Sequence, residues 1–380
     1  MAVTISRPVR RRPVFHPLLV ADIDRLTDDA VAVCFVVPPE LRGGYRFQAG
    51  QHLTVRLTDP AGGTDVRRSY SICSTPAELA EHGRLRIGVR QVAGGAFSGY
   101  AVCRLRPGDT VDVLPPLGHF TTAFDPDRCR RYGAVAAGSG ITPVLSLIAT
   151  GLATEPTSRF TLIYGNRSAH TVMFADEIAD LKDRHPTRLQ VVHVLSREVQ
   201  EAELLTGRVD AARLGRLLDT VVPGALIDEW FLCGPYGLVT DAEQVLRERG
   251  LPRAAVHSEL FHAGDAAPTD RDTGAGAGTG AGAEAGAVAG AELTVLLDGR
   301  ASTVRMNSGE RVLDAALRVR AELPYACRGG VCSTCRAKLV DGTVRMARNY
   351  ALEPDEVAAG YVLTCQSTPT TDQLTVDYDA

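Results

Sequence analysis

Four cysteines near the C-terminus have a spacing that could hold a metal cluster. Cys327, Cys332 and Cys335 stand in the run CRGGVCSTC, and Cys365 follows after 29 further residues. The pattern C-x4-C-x2-C…C is that of four thiolates around a [2Fe–2S] cluster, in which one loop supplies three ligands and a second segment the fourth. The two glycines in the loop would let backbone N–H groups point at the sulfurs and stabilise the reduced cluster. The sequence therefore predicts a one-electron redox centre.

A structural zinc site is the alternative for the same four cysteines. Such sites usually contain paired C-x2-C elements, whereas this run has one pair and an extra cysteine five residues earlier. The spacing therefore favours iron and sulfide. Of the remaining cysteines, we expect Cys34, Cys103 and Cys129 to be core residues, while Cys73 lies just past a second motif and is ambiguous.

That second motif, Arg68-Ser-Tyr-Ser71, stands at the end of a predicted strand and could hold a nucleotide. An arginine can neutralise a phosphate, a tyrosine ring can stack on a flat heterocycle, and a serine hydroxyl can reach a ring nitrogen. By themselves, these four residues also fit a plain strand. One strand later, Gly94 and Gly95 precede a predicted helix, whose free N–H groups could hold a pyrophosphate.

Three further segments end predicted strands and fit a dinucleotide. The turn Gly138-Ser-Gly-Ile-Thr-Pro143 has proline in the first helical turn and Thr142 as a cap or ligand contact, but it is not the G-x-G-x-x-G fingerprint. Tyr164-Gly-Asn-Arg-Ser168 and Cys233-Gly-Pro235 end later strands, at the carboxyl edge where open α/β sheets bind ligands. Arg167 could bind a 2′-phosphate and so favour NADPH over NADH; the alternative is an ordinary solvated arginine.

The elements that must position these motifs change character along the chain. Residues 14–128 contain several short strands broken by turns, which predict an antiparallel β-barrel or a β-sandwich. Residues 129–262 alternate strand-like and helical runs, which predict a doubly wound parallel sheet. Residues 291–380 form a small α+β unit, with a hairpin turn at Asp298-Gly299 and a helix whose capping box would be Asn307 and Glu310. The sequence thus predicts a multidomain α+β protein.

Residues 263–290 separate the last two regions and are rich in glycine and alanine, as in TGAGAGTGAGAEAGAVAGA. This composition is typical of a flexible linker, because no residue is large enough to build a core. An inert spacer and a tether that lets one domain swing to another both remain open.

Composition excludes several other classes of protein. The chain has 380 residues, 45% of them hydrophobic, and a net charge of −4, which indicates a globular protein without a basic surface for nucleic acid. No apolar run is long enough to span a membrane, and no apolar segment follows the basic N-terminus, so we expect a cytoplasmic protein. Nucleic-acid binding by the arginines of residues 7–12 is less favoured than a solvated tail.

The motifs RSYS, GGAFS, GSGITP and CGP, in this order, resemble the ferredoxin–NADP reductase superfamily over residues 14–262. Residues 292–380, with LPYAC before the cysteine loop and GYVLTCQS around the fourth cysteine, resemble plant-type ferredoxins and imply a β-grasp fold. The whole chain resembles the reductase subunits of multicomponent phenylacetyl-CoA epoxidases. Supporting segments are IYGNR, GGVCSTCRAK and NYALEPDEVAAG.

The resemblance implies FAD, NADPH and a [2Fe–2S] cluster, and it assigns residues to each. The cluster ligands would be the four cysteines named above. The cofactor-binding residues would be Arg68, Ser69, Tyr70, Ser71, Val89, Arg90, Gly95, Phe97, Ser98, Gly138, Gly140, Thr142, Pro143, Asn166, Arg167, Cys233, Gly234 and Pro235. Ser71, Cys233 and Glu259 would surround the reacting rings as catalytic residues, with Phe261 closing the flavin face.

These assignments predict an oxidoreductase that passes electrons from NADPH to FAD, then to the cluster, and then to the oxygenase subunits of a multicomponent epoxidase. A flavin is stable with zero, one or two electrons and can divide the two electrons of a hydride for a one-electron cluster. A reductase of a ring-hydroxylating or steroid oxygenase is the alternative partner assignment. A non-enzymatic redox sensor or electron carrier is the alternative of another class, and the intact RSYS and GSGITP motifs count against it.

Overall fold

The computed structural model describes residues 13–57, 65–222, 224–261 and 290–380. These residues belong to two compact units, one beginning at Phe15 and containing the described residues up to 261, the other containing residues 290–380. The predicted linker, apart from Gly290, lies outside the described residues. No helix in the described part of the chain is long and apolar enough to cross a membrane.

The first half of the larger unit is an antiparallel β-barrel, as predicted. Its elements are β1 (His16–Thr27), β2 (Ala30–Val36), β3 (His52–Leu57), β4 (Val66–Ser71), α1 (Pro76–His82), β5 (Arg84–Arg90), α2 (Ala96–Cys103) and β6 (Thr110–Val113). The strands follow the order β4-β3-β6-β1-β2-β5. A bridge between Ile72 and Ile87 joins the two edges and closes the sheet.

Strand β2 shows why this sequence makes a barrel that packs on a second layer. Val31, Val33 and Phe35 lie in the barrel core, whereas Ala30 and Ala32 on the opposite face belong to a core cluster shared with the second half of the unit. Side chains alternate between the faces of a strand, so the large residues fill the barrel and the small ones allow close packing outside it.

The second half of the larger unit is the predicted doubly wound sheet. Its elements are β7 (Arg131–Ala137), α3 (Ile141–Thr154), β8 (Arg159–Asn166), α4 (Ala175–Arg184), β9 (Leu189–Leu195), α5 (Ala211–Thr220), β10 (Glu229–Gly234), α6 (Tyr236–Glu248) and β11 (Val256–Leu260). The five strands are parallel, in the order β11-β10-β7-β8-β9. Ala134 and Ala136 pack with residues of α3 and α4, and Val135 packs with α5 and α6 on the other face.

The C-terminal unit is a small mixed sheet with two short helices packed against its strands. Its elements are β12 (Glu292–Leu297), β13 (Arg300–Arg305), α7 (Val312–Leu317), β14 (Arg336–Asp341), β15 (Val344–Met346), α8 (Pro354–Ala358), β16 (Tyr361–Leu363), β17 (Ser367–Pro369) and β18 (Gln373–Asp377). The main sheet has the order β13-β12-β18-β14-β16, with β12 and β18 parallel. The hairpin at Asp298-Gly299 is confirmed: both residues have positive φ, as a tight two-residue hairpin turn requires.

Two predicted helix caps are wrong. The Glu310 carboxylate accepts a hydrogen bond from the Asn307 N–H at 2.7 Å, but this closes a turn before α7, which begins at Val312 with Arg311 as its cap residue. Thr142 lies inside the first turn of α3, whose cap position is Gly140, and its hydroxyl donates to the Ser139 carbonyl. Capping-type hydrogen bonds also form in isolated turns, so the residue spacing alone does not locate a helix start.

Candidate functional site

A cavity of about 1110 Å³ opens at the carboxyl ends of the parallel strands. The segments that follow four strands line it: Gly138 after β7, Arg167 after β8, Arg197 after β9 and Pro235 after β10. The topology of a doubly wound sheet brings these strand ends to one edge. The cavity therefore unites three segments predicted to bind a dinucleotide with a fourth that the sequence analysis missed.

The glycine-rich turn fits against β10 because Gly140 has no side chain. A Cβ atom at this position would lie 2.1 Å from the Cys233 carbonyl oxygen. Gly138 has a φ of +55°, a conformation that favours glycine. The turn is thus held against the strand that carries Cys233.

Asp29 joins two arginines at the cavity wall. Its Oδ2 atom accepts hydrogen bonds from Arg90 Nε at 3.0 Å and from Arg167 Nη2 at 3.1 Å. Burial alone would raise the pKa of Asp29, but hydrogen bonds from Arg90 and Thr27 lower it overall. Arg90 Nη2 is buried and has no hydrogen-bond partner among the described residues. The donor set therefore fits a phosphate-containing ligand.

Ser71, Glu259 and Cys233 meet where the barrel and the parallel sheet adjoin. Ser71 Oγ donates to Glu259 Oε2 at 2.7 Å, and Glu259 is the register partner of Cys233 on the neighbouring strand. His52 Nδ1 lies 3.9 Å from Glu259 Oε1. The three residues predicted to be catalytic, which come from β4, β10 and β11, thus lie together with a fourth polar side chain.

Burial gives this group unusual proton affinities. It raises the pKa of Glu259 to about 7, and the hydrogen bond from Ser71 opposes the rise. Burial, with a further contribution from the charge of Glu259, raises the pKa of the Cys233 thiol well above its ordinary value. Cys233 is therefore a neutral thiol, and Glu259 can hold or release a proton near pH 7.

The barrel side of the junction has the chemistry of a flavin site. The Tyr70 and Phe97 rings have centroids 5.4 Å apart, and helix α2 starts after Gly95 without a side-chain cap. Ser98 Oγ accepts from the Val92 N–H and donates to the Gly95 carbonyl, which fixes the turn before the helix. An uncapped helix start, the arginine at position 68 and an aromatic ring fit a phosphate joined to a flat heterocycle.

The four C-terminal cysteines form two pairs. Cys327 shares a thiol hydrogen bond with Cys332, and Cys335 shares one with Cys365. The first bond lowers the pKa of Cys327, and the second lowers the pKa of Cys365. Among the described residues, no three His, Cys, Asp or Glu side chains converge on a single metal position. Two thiol pairs suit two bridged irons better than one tetrahedral zinc.

Three family profiles match successive parts of the chain. They are an oxidoreductase FAD-binding domain over residues 17–122, an oxidoreductase NAD-binding domain over 134–244, and a 2Fe-2S iron-sulfur cluster binding domain over 295–370. Together they follow the order of the three sets of motifs.

Two relatives align with nearly the whole chain. The chain is 44% identical to a subunit of the 1,2-phenylacetyl-CoA epoxidase of Escherichia coli K12, over 96% of this chain and 98% of that protein. It is 32% identical to the ferredoxin reductase component of 3-ketosteroid-9-alpha-monooxygenase of Rhodococcus rhodochrous, over 99% of each chain. The chain belongs to this family of oxygenase reductase components. Its cofactors are FAD, a nicotinamide dinucleotide and a [2Fe–2S] cluster.

A solved structure of phthalate dioxygenase reductase has the same fold. It is described as a modular structure for electron transfer from pyridine nucleotides to [2Fe-2S], and it aligns with 96% of this chain and 98% of its own length, at a TM-score of 0.56 and 23% identity. For the present chain, the predicted combination of flavin barrel, nucleotide domain and ferredoxin domain is confirmed.

Some predicted cofactor residues of the reductase have buried side chains. Val89 and Phe97 belong to the barrel core, so Val89 could meet a cofactor only through its backbone. Thr142 and Pro143 are buried in the first turn of α3. They support the glycine-rich turn from behind, whereas Gly138, Asn166, Arg167, Gly234 and Pro235 line the cavity directly.

Asp29, Arg197 and Arg208 also line the cavity of the reductase, and none of them was predicted from the sequence. Arg197 follows β9 by two residues, so the strand-end rule could have identified it. Asp29 lies in the turn between β1 and β2, and no local signal connects it to Arg167. The expectation for two lone cysteines was wrong, because Cys103 and Cys129 are exposed, whereas Cys34 and Cys73 are buried.

Proposed function

We propose that this reductase passes electrons from NADPH through FAD and its [2Fe–2S] cluster to the oxygenase component of a phenylacetyl-CoA epoxidase. The observation that carries the partner assignment is the 44% identity to a subunit of such an epoxidase, which extends over nearly the full length of both chains. The steroid monooxygenase component is also a full-length relative, but at 32% identity.

In this proposal, the domains are residues 14–128 for FAD, 129–262 for the nucleotide and 291–380 for the cluster. Arg68 and the start of helix α2 would hold the FAD phosphates, and Tyr70 would stack on the ring. When bound, FAD accepts one hydride, with its two electrons, and passes the electrons on singly. Ser71 and Glu259 would hold a proton beside the ring, and the neutral thiol of Cys233 would pack against the nicotinamide.

The preference for NADPH would come from arginines around the cavity. Arg167, Arg197 and Arg208 all line it, and three guanidinium groups near one strand edge favour the extra phosphate of NADPH. Arg90 has a buried N–H group without a partner among the described residues. This group would bind the pyrophosphate of NADPH. The GSGITP turn has little side-chain bulk, so the dinucleotide could approach the polypeptide backbone closely there.

We also propose that the reductase works in the cytoplasm. None of the nine cysteines, including the four of the cluster site, is in a disulfide bond, and a reducing compartment keeps such thiols available for metal binding. We propose neither nucleic acid nor a membrane as a partner of the reductase.

Reconstitution tests the partner assignment. The purified reductase, NADPH and the oxygenase subunits of a phenylacetyl-CoA epoxidase should convert phenylacetyl-CoA with NADPH consumption coupled to product. A steroid 9α-oxygenase component with its steroid substrate is the matched comparison. Turnover with the steroid system and none with the epoxidase would assign the alternative partner.

A further inference from the structure

Gln366, the residue after the fourth cysteine, touches both segments of the cluster site. Its side chain is buried, and its Nε2 atom lies 2.7 Å from the Arg328 carbonyl oxygen and 3.0 Å from the Cys365 carbonyl oxygen. The same nitrogen is 3.5 Å from the Cys365 sulfur. The amide carries two N–H groups for these three acceptors, so one N–H serves the Arg328 carbonyl and the other is shared between the carbonyl and the sulfur of Cys365.

The ligand loop is shaped around this side chain. Arg328 has a φ of +52°, which is uncommon for a residue with a side chain, and Gly330 has a φ of +79°. A Cβ atom at Gly330 would lie 3.0 Å from Gln366 Cγ. The loop thus approaches Gln366 so closely that it needs glycine there, and the Gln366 amide holds the Arg328 carbonyl in its strained conformation.

We propose that Gln366 is a positioning residue that sets the reduction potential of the [2Fe–2S] cluster. An N–H group directed at a ligand sulfur withdraws negative charge from it, which stabilises the reduced cluster and raises its potential. Gln366 donates to the sulfur of one thiol pair and fixes the loop that carries the other pair. A single side chain therefore affects both halves of the four-cysteine site.

Redox titration of the intact reductase tests this role. Gln366→Met keeps the length of the side chain but removes the N–H donor, and Gln366→Glu replaces the donor by an acceptor. At the potential where the wild-type cluster is half reduced, we expect about tenfold less reduced cluster relative to oxidised in each variant, equivalent to a shift of about −59 mV for one electron. The electron paramagnetic resonance signal of the reduced cluster should also change.

Ser367→Ala is the matched control. Ser367 is buried two residues from Cys365, and its hydroxyl donates to the Leu363 carbonyl rather than to a sulfur. Its removal should leave the cluster potential unchanged. Equal potentials in wild type, Ser367→Ala and either cluster-containing Gln366 variant would overturn the proposal.

A measurement on the wild-type protein covers the case in which the variants fail to assemble a cluster. With glutamine side chains labelled with ¹⁵N, pulsed electron paramagnetic resonance should detect coupling between the reduced cluster and the Gln366 amide nitrogen. Absence of this coupling would also overturn the proposal. Both readouts concern the cluster alone, so they do not depend on the oxygenase partner proposed above.

Discussion

At the scale of single residues, the junction of Ser71, Glu259 and Cys233 depends on contacts between residues far apart in the chain. Ser71 and Glu259 are 188 positions apart, yet their side chains share a 2.7 Å hydrogen bond. Local sequence patterns placed Ser71 and Cys233 at strand ends, whereas Glu259 and the meeting of the three residues were suggested only by the family resemblance. The raised pKa of Glu259 arises from burial between two layers, which no local pattern encodes.

That pKa predicts how stability changes with pH. The folded carboxyl of Glu259 titrates near pH 7 instead of 4.5, so proton binding stabilises the fold, fully below about pH 4.5 and not at all above about pH 7. Glu259→Gln is neutral at every pH and should not lose this stabilisation. As the pH is raised from 5 to 8, the free energy of unfolding of the variant should therefore increase relative to wild type, by up to about 3 kcal/mol. Its melting temperature should increase relative to wild type accordingly.

Thermal unfolding monitored across this pH range checks the prediction. Glu203→Gln, at an exposed position, controls for the loss of one negative charge. A difference between wild type and Glu259→Gln that stays constant from pH 5 to pH 8 would contradict the assigned proton affinity.

A second prediction at this scale concerns Asp29. Its carboxylate accepts a hydrogen bond from the Arg167 guanidinium. A 2′-phosphate that binds Arg167 would have to compete with this carboxylate. Asp29→Asn should therefore strengthen NADPH binding relative to NADH by about fivefold, the equivalent of about 1 kcal/mol for a partly exposed ion pair. The ratio of KM values, measured with an artificial electron acceptor, reports the change.

Asp28→Asn is the matched control, since Asp28 is the exposed neighbour and its side chain makes no described contact with either arginine. It should leave the ratio unchanged. If Asp29→Asn changes both KM values equally, Arg167 does not bind the 2′-phosphate.

At the scale of elements, hydrophobic periodicity predicted the barrel and the alternating strands and helices because each layer buries one face of each strand. Periodicity did not locate helix starts, as the predicted cap at Asn307 shows. It also did not identify which cysteines are buried. Cys103 ends helix α2 and Cys129 precedes β7, and both are exposed. Average burial of a residue type does not reveal the side of an element on which it lies.

The glycine-rich turn gives the prediction at this scale. Gly140→Ala would place a methyl group 2.1 Å from the Cys233 carbonyl oxygen, which forces the turn away from β10 and costs about 1–3 kcal/mol. The variant should keep its flavin but lose about tenfold or more in kcat/KM for NADPH. Gly43→Ala, where no atom lies within 4 Å of the new Cβ, is the control. Unchanged NADPH kinetics in Gly140→Ala would show that the turn does not position the nucleotide.

At the scale of the whole molecule, the chain combines a two-electron flavin site and a one-electron cluster site in two separate compact units. The cysteine spacing predicted the cluster directly, because thiolate ligation leaves a local signature in sequence. The nucleotide cavity could be predicted only in outline, since its arginines come from different strand ends. The two thiol pairs add structural support for a cluster of two irons.

In the proposed function, NADPH reduces both the flavin and the cluster of one chain. Anaerobic addition of NADPH to the purified protein, followed by absorbance and electron paramagnetic resonance, tests it directly. We expect loss of the oxidised flavin absorbance together with the signal of a reduced [2Fe–2S] cluster, at lower concentrations of NADPH than of NADH. Flavin reduction without any cluster signal, or no reduction by either nucleotide, would contradict it.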